Sequence, residues 1–264
     1  MNAHENNVSC FTYMDNYNLE KNINEKPNKF KCFLSGSWDG TIKLWDTNGK
    51  FLKIYKKAHN DYILVVQCLK NLEYPGFVSG GKDRIIKLWN LNEDQCIQKF
   101  DIKHDDSIWS LVQLRKFAVI SGSADKTIQV WNAKNGKCLA TLKGHQNSVR
   151  CIAVIDNVTI ASAGNDHVIK IWNVEKQTCE TTLIGHTKQV LCLIYEEIFE
   201  NNNQVKLLIS GSADKLIKIW DVSIGICRST LEFHKDWINC LAFDKTKNIL
   251  MSGSDDKTIK FWKI

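Results

Sequence analysis

Serine, histidine and aspartate recur along this chain at matched places, and together they could perform nucleophilic hydrolysis. Six aspartates, Asp39, Asp83, Asp125, Asp166, Asp214 and Asp256, each follow a serine by four residues: Ser35, Ser79, Ser121, Ser162, Ser210 and Ser252. Six of the seven histidines, His4, His59, His104, His145, His186 and His234, stand upstream of these pairs. A tryptophan closes each set: Trp45, Trp89, Trp131, Trp172, Trp220 and Trp262. An active site is normally built once, whereas this constellation occurs six times. Buried polar side chains must be paired, and Ser, His, Asp and the indole N–H offer complementary donors and acceptors. The residues are therefore read as buried hydrogen-bond chains rather than six nucleophiles, and the chain as a non-enzyme. The seventh histidine, His167, is read as a solvated turn residue beside Asp166.

Other chemistry finds little support. The ten cysteines include no Cys-x-x-Cys pair. Cys96, Cys138, Cys179 and Cys227 each lie seven residues after a tryptophan, and Cys10, Cys151, Cys192 and Cys240 six after a histidine. Cysteines placed by a repeat rather than by each other read as small buried hydrophobes in reduced form. That leaves a zinc site unsupported and favours an intracellular compartment, cytoplasmic or nuclear. No phosphate-binding Gly-rich loop or dinucleotide fingerprint is present, so no cofactor or metal is expected. The net charge of +6 permits an acidic partner without requiring one. Lys43, Lys87, Lys170, Lys218 and Lys260 share one strand position, which looks like solvated edges rather than a nucleic-acid stripe. No run of 18 apolar residues exists to span a membrane, and the polar start lacks a secretory h-region.

The elements that position these residues come from a repeat. Six segments align: SGSWDGTIKLWD at 35–46, SGGKDRIIKLWN at 79–90, SGSADKTIQVWN at 121–132, SAGNDHVIKIWN at 162–173, SGSADKLIKIWD at 210–221 and SGSDDKTIKFWK at 252–263. Their tryptophans are 44, 42, 41, 48 and 42 residues apart, so the six units fill the chain as one domain, 1–264. Each unit holds a turn ending in Asp and then an alternating run such as Thr41–Trp45, the period-2 signature of a strand. Runs such as Val149–Val154, Ile160–Ser162 and Lys137–Leu142 supply three more. Four short strands every 40-odd residues is the arithmetic of a β-propeller blade.

At these motifs the sequence resembles the WD-repeat β-propeller family. Gly-His is kept at Gly144-His145 and Gly185-His186, and Trp-Asp at Trp45-Asp46 and Trp220-Asp221. The resemblance implies an all-β propeller of six four-stranded blades, in which Trp donates to Ser, Ser to His, and His to the turn Asp. It also implies a partner face, formed by the loops between the fourth and first strands and between the second and third. Three positions per blade point there: Asn7, Ser9, Trp38; Tyr62, Leu64, Lys82; Ser107, Trp109, Ala124; Ser148, Arg150, Asn165; Gln189, Leu191, Ala213; and Trp237, Asn239, Asp255. All three tryptophans outside the repeat, Trp38, Trp109 and Trp237, fall on this set. With Tyr62 they are expected to form an aromatic arc ending at Arg150, flanked by Leu64, Lys82, Asn239 and Asp255.

The function expected is a scaffold that binds a peptide or protein on this face. The alternatives are a substrate receptor or adaptor of a ubiquitin ligase or similar assembly, and an RNA- or chromatin-associated propeller. Two stretches depart from the repeat. Residues 14–29 and 196–206 read as long polar loops joining the first two strands of blades one and five. The last blade is expected to have three strands, because the fourth-strand pattern is missing after Trp262. The chain then reads as a piece of a longer protein, or as one whose last blade another chain completes.

Overall fold

The computed structural model describes residues 4–18, 29–100, 104–200 and 203–264. It is all-β, a six-bladed propeller fold in which each blade is a meandering antiparallel sheet. Blade one comprises β1 (Val8–Asn18), β2 (Lys29–Ser37), β3 (Ile42–Asp46) and β4 (Phe51–Tyr55). Blade two holds β5 (Ile63–Leu69), β6 (Gly76–Gly81), β7 (Lys87–Asn90) and β8 (Cys96–Lys99). Blade three holds β9 (Ile108–Arg115), β10 (Ala118–Ser123), β11 (Thr127–Asn132) and β12 (Cys138–Lys143). Blade four holds β13 (Val149–Val154), β14 (Thr159–Gly164), β15 (Ile169–Asn173) and β16 (Thr178–Leu183). Blade five holds β17 (Val190–Glu200), β18 (Asn203–Ser212), β19 (Leu216–Asp221) and β20 (Ile226–Glu232). Blade six has three strands, β21 (Ile238–Asp244), β22 (Ile249–Ser254) and β23 (Ile259–Lys263), as expected from its missing fourth-strand pattern.

The chain forms two compact units, Met1–Asp125 with Gln129–Ala140, and Lys126–Ile128 with Thr141–Ile264. Within each, the core lies between neighbouring blades, because alternation leaves every sheet apolar on both faces. In the first unit Leu34, Ile42, Leu44 and Tyr55 of blade one pack against Val66, Phe77 and Trp89 of blade two. In the second, Ile217 and Ile219 of blade five pack with Ile238, Leu250 and Trp262 of blade six. Burying each such side chain contributes about 1.5–3 kcal/mol. Gly211 permits the close approach: a Cβ there would lie 2.7 Å from Ile238 and from Cys192 Sγ.

Four expectations need correction, the first being Lys87, which is not at a solvated edge but buried at 8% exposure with its Nζ donating to the Ala58 carbonyl. Residues 196–200 and 203–206 are strand rather than loop, while 201–202 fall outside the described residues. Glu196, Glu197, Ile198, Phe199 and Glu200 pair with Leu207, Lys206, Val205, Gln204 and Asn203, so the first hairpin of blade five simply continues. The stretch 14–29 likewise begins in β1 and ends in β2, with Met14 paired to Cys32 and Asn18 to Lys29, while 19–28 fall outside the described residues. Nor are all the cysteines buried. All ten are free thiols, but Cys179 and Cys227 are exposed on outer strands and Cys240 on an uncovered face of blade six.

Two sheet faces carry exposed apolar residues where other blades bury theirs. On blade one Val8, Phe11 and Tyr13 are 50, 77 and 47% exposed, and with Phe33 and Trp45 they line an apolar cavity of about 500 Å³. Val66, in blade two at the position of Phe11, is 3% exposed. On blade six Ile259 and Phe261 are each 69% exposed.

Candidate partner-binding face and polar tetrads

Each blade assembles its four polar residues with the same geometry. The Trp Nε1–H donates to Ser Oγ at 2.7–2.9 Å in all six. Ser Oγ donates to His Nε2 at 2.6–2.8 Å. His Nδ1–H then donates to the turn Asp at 2.7–3.0 Å. The carboxylate also accepts the backbone N–H of the residue after the histidine, as from Asn60 to Asp83 and Thr187 to Asp214, which fixes the loop before the first strand to the turn. The residue after each turn Asp is left-handed: Gly40, Arg84, Lys126, His167, Lys215 and Lys257 all have φ between 65° and 75°. That conformation costs a non-glycine residue roughly 1–2 kcal/mol, which the surrounding hydrogen bonds offset. His167 is thus a half-buried turn residue.

The electrostatics follow from this bonding. Burial opposes the charged form of Asp39, but hydrogen bonds from Thr41, the Glu5 amide and His4 outweigh it and hold the pKa at about 2. Asp214 also sits at about 2, its burial outweighed by His186 and the amides of Thr187 and Leu216. Burial lowers the pKa of His59 against the pull of Asp83, keeping its imidazole neutral. Ser79, Ser121, Ser162 and Ser210, buried between indole and imidazole, are 0% exposed, whereas Ser35 of blade one is 6% exposed and lines the apolar cavity beside Trp45.

A second repeated bond builds the loop face. The backbone N–H before each turn Asp donates to the carbonyl three residues after the histidine. The pairs are Trp38 to Asn7, Lys82 to Tyr62, Ala124 to Ser107, Asn165 to Ser148, Ala213 to Gln189 and Asp255 to Trp237. Two of the three positions read from each repeat are therefore locked side by side. In the first unit Trp38 stacks on Tyr62 with ring centroids 4.9 Å apart and planes 7° apart, and Lys82 Nζ lies 4.9 Å from the Tyr62 centroid. Leu64 and Trp109 are half-buried. In the second unit Trp237 is 45% exposed, Asn239 donates to the exposed Asp255, and Arg150 is half-buried. Sequence reasoning missed Phe11, Tyr13 and Phe33 beside Trp45. For Phe11 and Tyr13 the signal was aromatic bulk at strand positions that hold Val66 and Cys68 in blade two, whereas Phe33 matches Phe77 there and gave none.

The family model for the WD domain, G-beta repeat, matches residues 1–46, 49–90 and 94–132, and a model described as WDR41, a β-propeller, matches 136–264. The chain belongs to the WD-repeat β-propeller family. Among curated relatives, this WD-repeat chain is 29% identical to ribosome biogenesis protein YTM1 of Eremothecium gossypii, over 33% of the chain and 17% of that protein. It is 27% identical to a CCR4-associated factor 4 homolog of Vanderwaltozyma polyspora, over 36% and 12%. It is 34% identical to small ribosomal subunit protein RACK1y of Oryza sativa, over 26% and 20%. Each match spans a fifth or less of the relative's own length. WD-repeat propellers of this type are interaction scaffolds. Among the described residues no His, Cys, Asp or Glu cluster is arranged to hold a metal ion, and no helix is long and apolar enough to cross a membrane.

Proposed function

We propose that this WD-repeat chain is a non-catalytic scaffold, and that a peptide or protein partner docks on its loop face at Trp38, Tyr62 and Lys82. The observation that carries this reading is the stacked, half-exposed Trp38–Tyr62 pair with a lysine cation against it. Large aromatic side chains held rigid at a surface dominate interface energetics. Trp237, Asn239 and Asp255 are a second docking position, described by itself in the other unit, and Leu64, Trp109 and Arg150 are supporting positions. The six Ser–His–Asp–Trp sets are structural. The ten free thiols support an intracellular compartment.

Similarity to a ribosome biogenesis protein and to a small ribosomal subunit protein supports a second reading, assembly in a ribonucleoprotein. Affinity capture from source-cell lysate with the parent and Trp38→Ala, each with and without nuclease, separates the two. The expected result is a partner retained through nuclease and lost with Trp38→Ala, a weakening of about 2 kcal/mol or more with an unchanged melting temperature. Partners equally bound by both proteins would refute the site, and partners released by nuclease would establish the second reading.

A further inference from the structure

Blade three gathers positive charge at the end of its sheet away from the loop face. Between Ser107 and Ala140 the basic residues are Arg115, Lys116, Lys126, Lys134 and Lys137, and the one acidic residue is Asp125, already bonded to His104. Arg115, Lys116, Lys134 and Lys137 are exposed, at the turns that join β9 to β10 and β11 to β12. None of them is a strand lysine of the repeat. Backbone bonds hold the two turns together: Ala133 N–H donates to the Phe117 carbonyl at 2.8 Å and Asn132 N–H to the Lys137 carbonyl at 2.9 Å. Gln113 Nε2 donates to the Lys116 carbonyl at 3.2 Å and to the carbonyl of the exposed Lys70 at 2.9 Å, which extends the cluster to blade two. At its centre Phe117 is half-buried, with Lys116 Nζ 5.1 Å and Lys134 Nζ 5.8 Å from the ring centroid. Among the described residues, Lys70, Lys116, Lys134 and Lys137 form no ion pair with a carboxylate. Of the acids in the corresponding turns of blade two, Asp94 pairs with Lys53 at 2.8 Å, while Glu73 and Glu93 act on Tyr74. Like charges gathered without counter-charges repel one another, and an anionic ligand relieves that repulsion.

We propose that this end of blade three is a binding site for single-stranded nucleic acid. Phosphates pair with Arg115, Lys116, Lys134 and Lys137, and a base rests against Phe117. An aromatic ring set among cations suits such a strand, because every nucleotide brings one phosphate and one flat π face. A run of aspartate and glutamate would use the cations and leave the ring without a partner. The site lies at the opposite end of the strands from Trp38, and its test uses purified protein, so its outcome is separate from that of the capture experiment.

The probe is a short fluorescein-labelled oligouridylate, titrated with the purified chain and followed by fluorescence anisotropy at several salt concentrations. Oligoglutamate of the same length serves as competitor, and urea unfolding checks that each variant is folded. The expected result is binding that weakens with salt, with a logarithmic slope of about 0.7 for each phosphate neutralised. Lys116→Ala combined with Lys134→Ala should lower affinity on the order of tenfold or more and reduce that slope by about 1.4. Phe117→Leu should weaken binding about fivefold or more and leave the slope unchanged. Absence of binding would overturn the proposal, as would equal affinity in the parent and the lysine pair, which would place the strand elsewhere on the chain. Unchanged affinity in a folded Phe117→Leu would overturn it too, and if that variant does not fold, the exposed lysine pair decides. Displacement by oligoglutamate at the same concentration as unlabelled oligouridylate would assign the patch to acidic peptides and overturn it as well.

Discussion

Blades five and six share the same turn, the same tetrad and nearly the same inner strand, LIKIWD against TIKFWK, yet their apolar residues meet different surroundings. Ile217 and Ile219 are 0% and 6% exposed, whereas Ile259 and Phe261 are 69% exposed. A Cβ on Gly211 would collide with Ile238 of the next blade, while the corresponding atom on Gly253 would meet only Cys240 of its own blade. The tetrads nonetheless match: Trp220 and Trp262 both reach their serines at 2.9 Å, and His186 and His234 reach theirs at 2.7 Å. The polar chain is therefore a local device, completed within one blade and the loop that leads into it. Apolar burial is a property of neighbours. A blade can have its turn fully stapled and still leave one face and one edge open.

The sharpest way to break this comparison is to remove the tryptophans. Trp220→Ala should cost about 3–5 kcal/mol in urea unfolding, as large buried side chains do. Trp262→Ala, at a partly exposed position, should cost clearly less, and equal losses would show that blade six is as well covered as blade five.

Acid is a gentler probe. The folded pKa values of Asp39 and Asp214, about 2, lie below their ordinary value of 3.8, so these groups add stability above pH ~4 that is lost as pH falls toward 2. His59 is also depressed below its ordinary 6.5, so its contribution is complete above that pH and is lost as pH falls below it. Unfolding free energies measured from pH 7 downward should decline in two stages, the first from His59 and the second from the aspartates. A flat profile from pH 7 to 4 would contradict the buried neutral imidazole.

What was legible in the sequence follows the same division. The tetrads could be read because each depends on residues at fixed offsets within one unit, and a Trp, a Ser and an Asp at constant spacing leave little freedom. The three-stranded last blade was legible because its outer-strand pattern is missing. The strand extensions at 196–200 and 203–206 were not, since their Asn- and Glu-rich composition resembles a loop although one face, carrying Ile198 and Val205, packs into the core. The buried Ile198 was the clue to their alternation. The Trp38–Tyr62 stack was half legible. Spacing placed both residues on one face, but ring contact depends on how two blades pack. The exposure of Cys240 could not be read at all, because the repeat gives it the position of Cys192, which is half-buried against Ile238 of blade six.

The central claim is that each Ser–His–Asp–Trp set staples its own blade, as proposed above, and is not a catalytic triad. Ser210→Ala tests it most directly, through urea unfolding measured beside hydrolysis of a simple aryl ester. Removing the hydroxyl leaves the buried Trp220 N–H and His186 Nε2 without their partner, so the account predicts a stability loss of about 1–3 kcal/mol. It predicts no selective loss of an activity in the folded protein. An unchanged stability together with an ester hydrolysis that the parent performs and Ser210→Ala does not would contradict it.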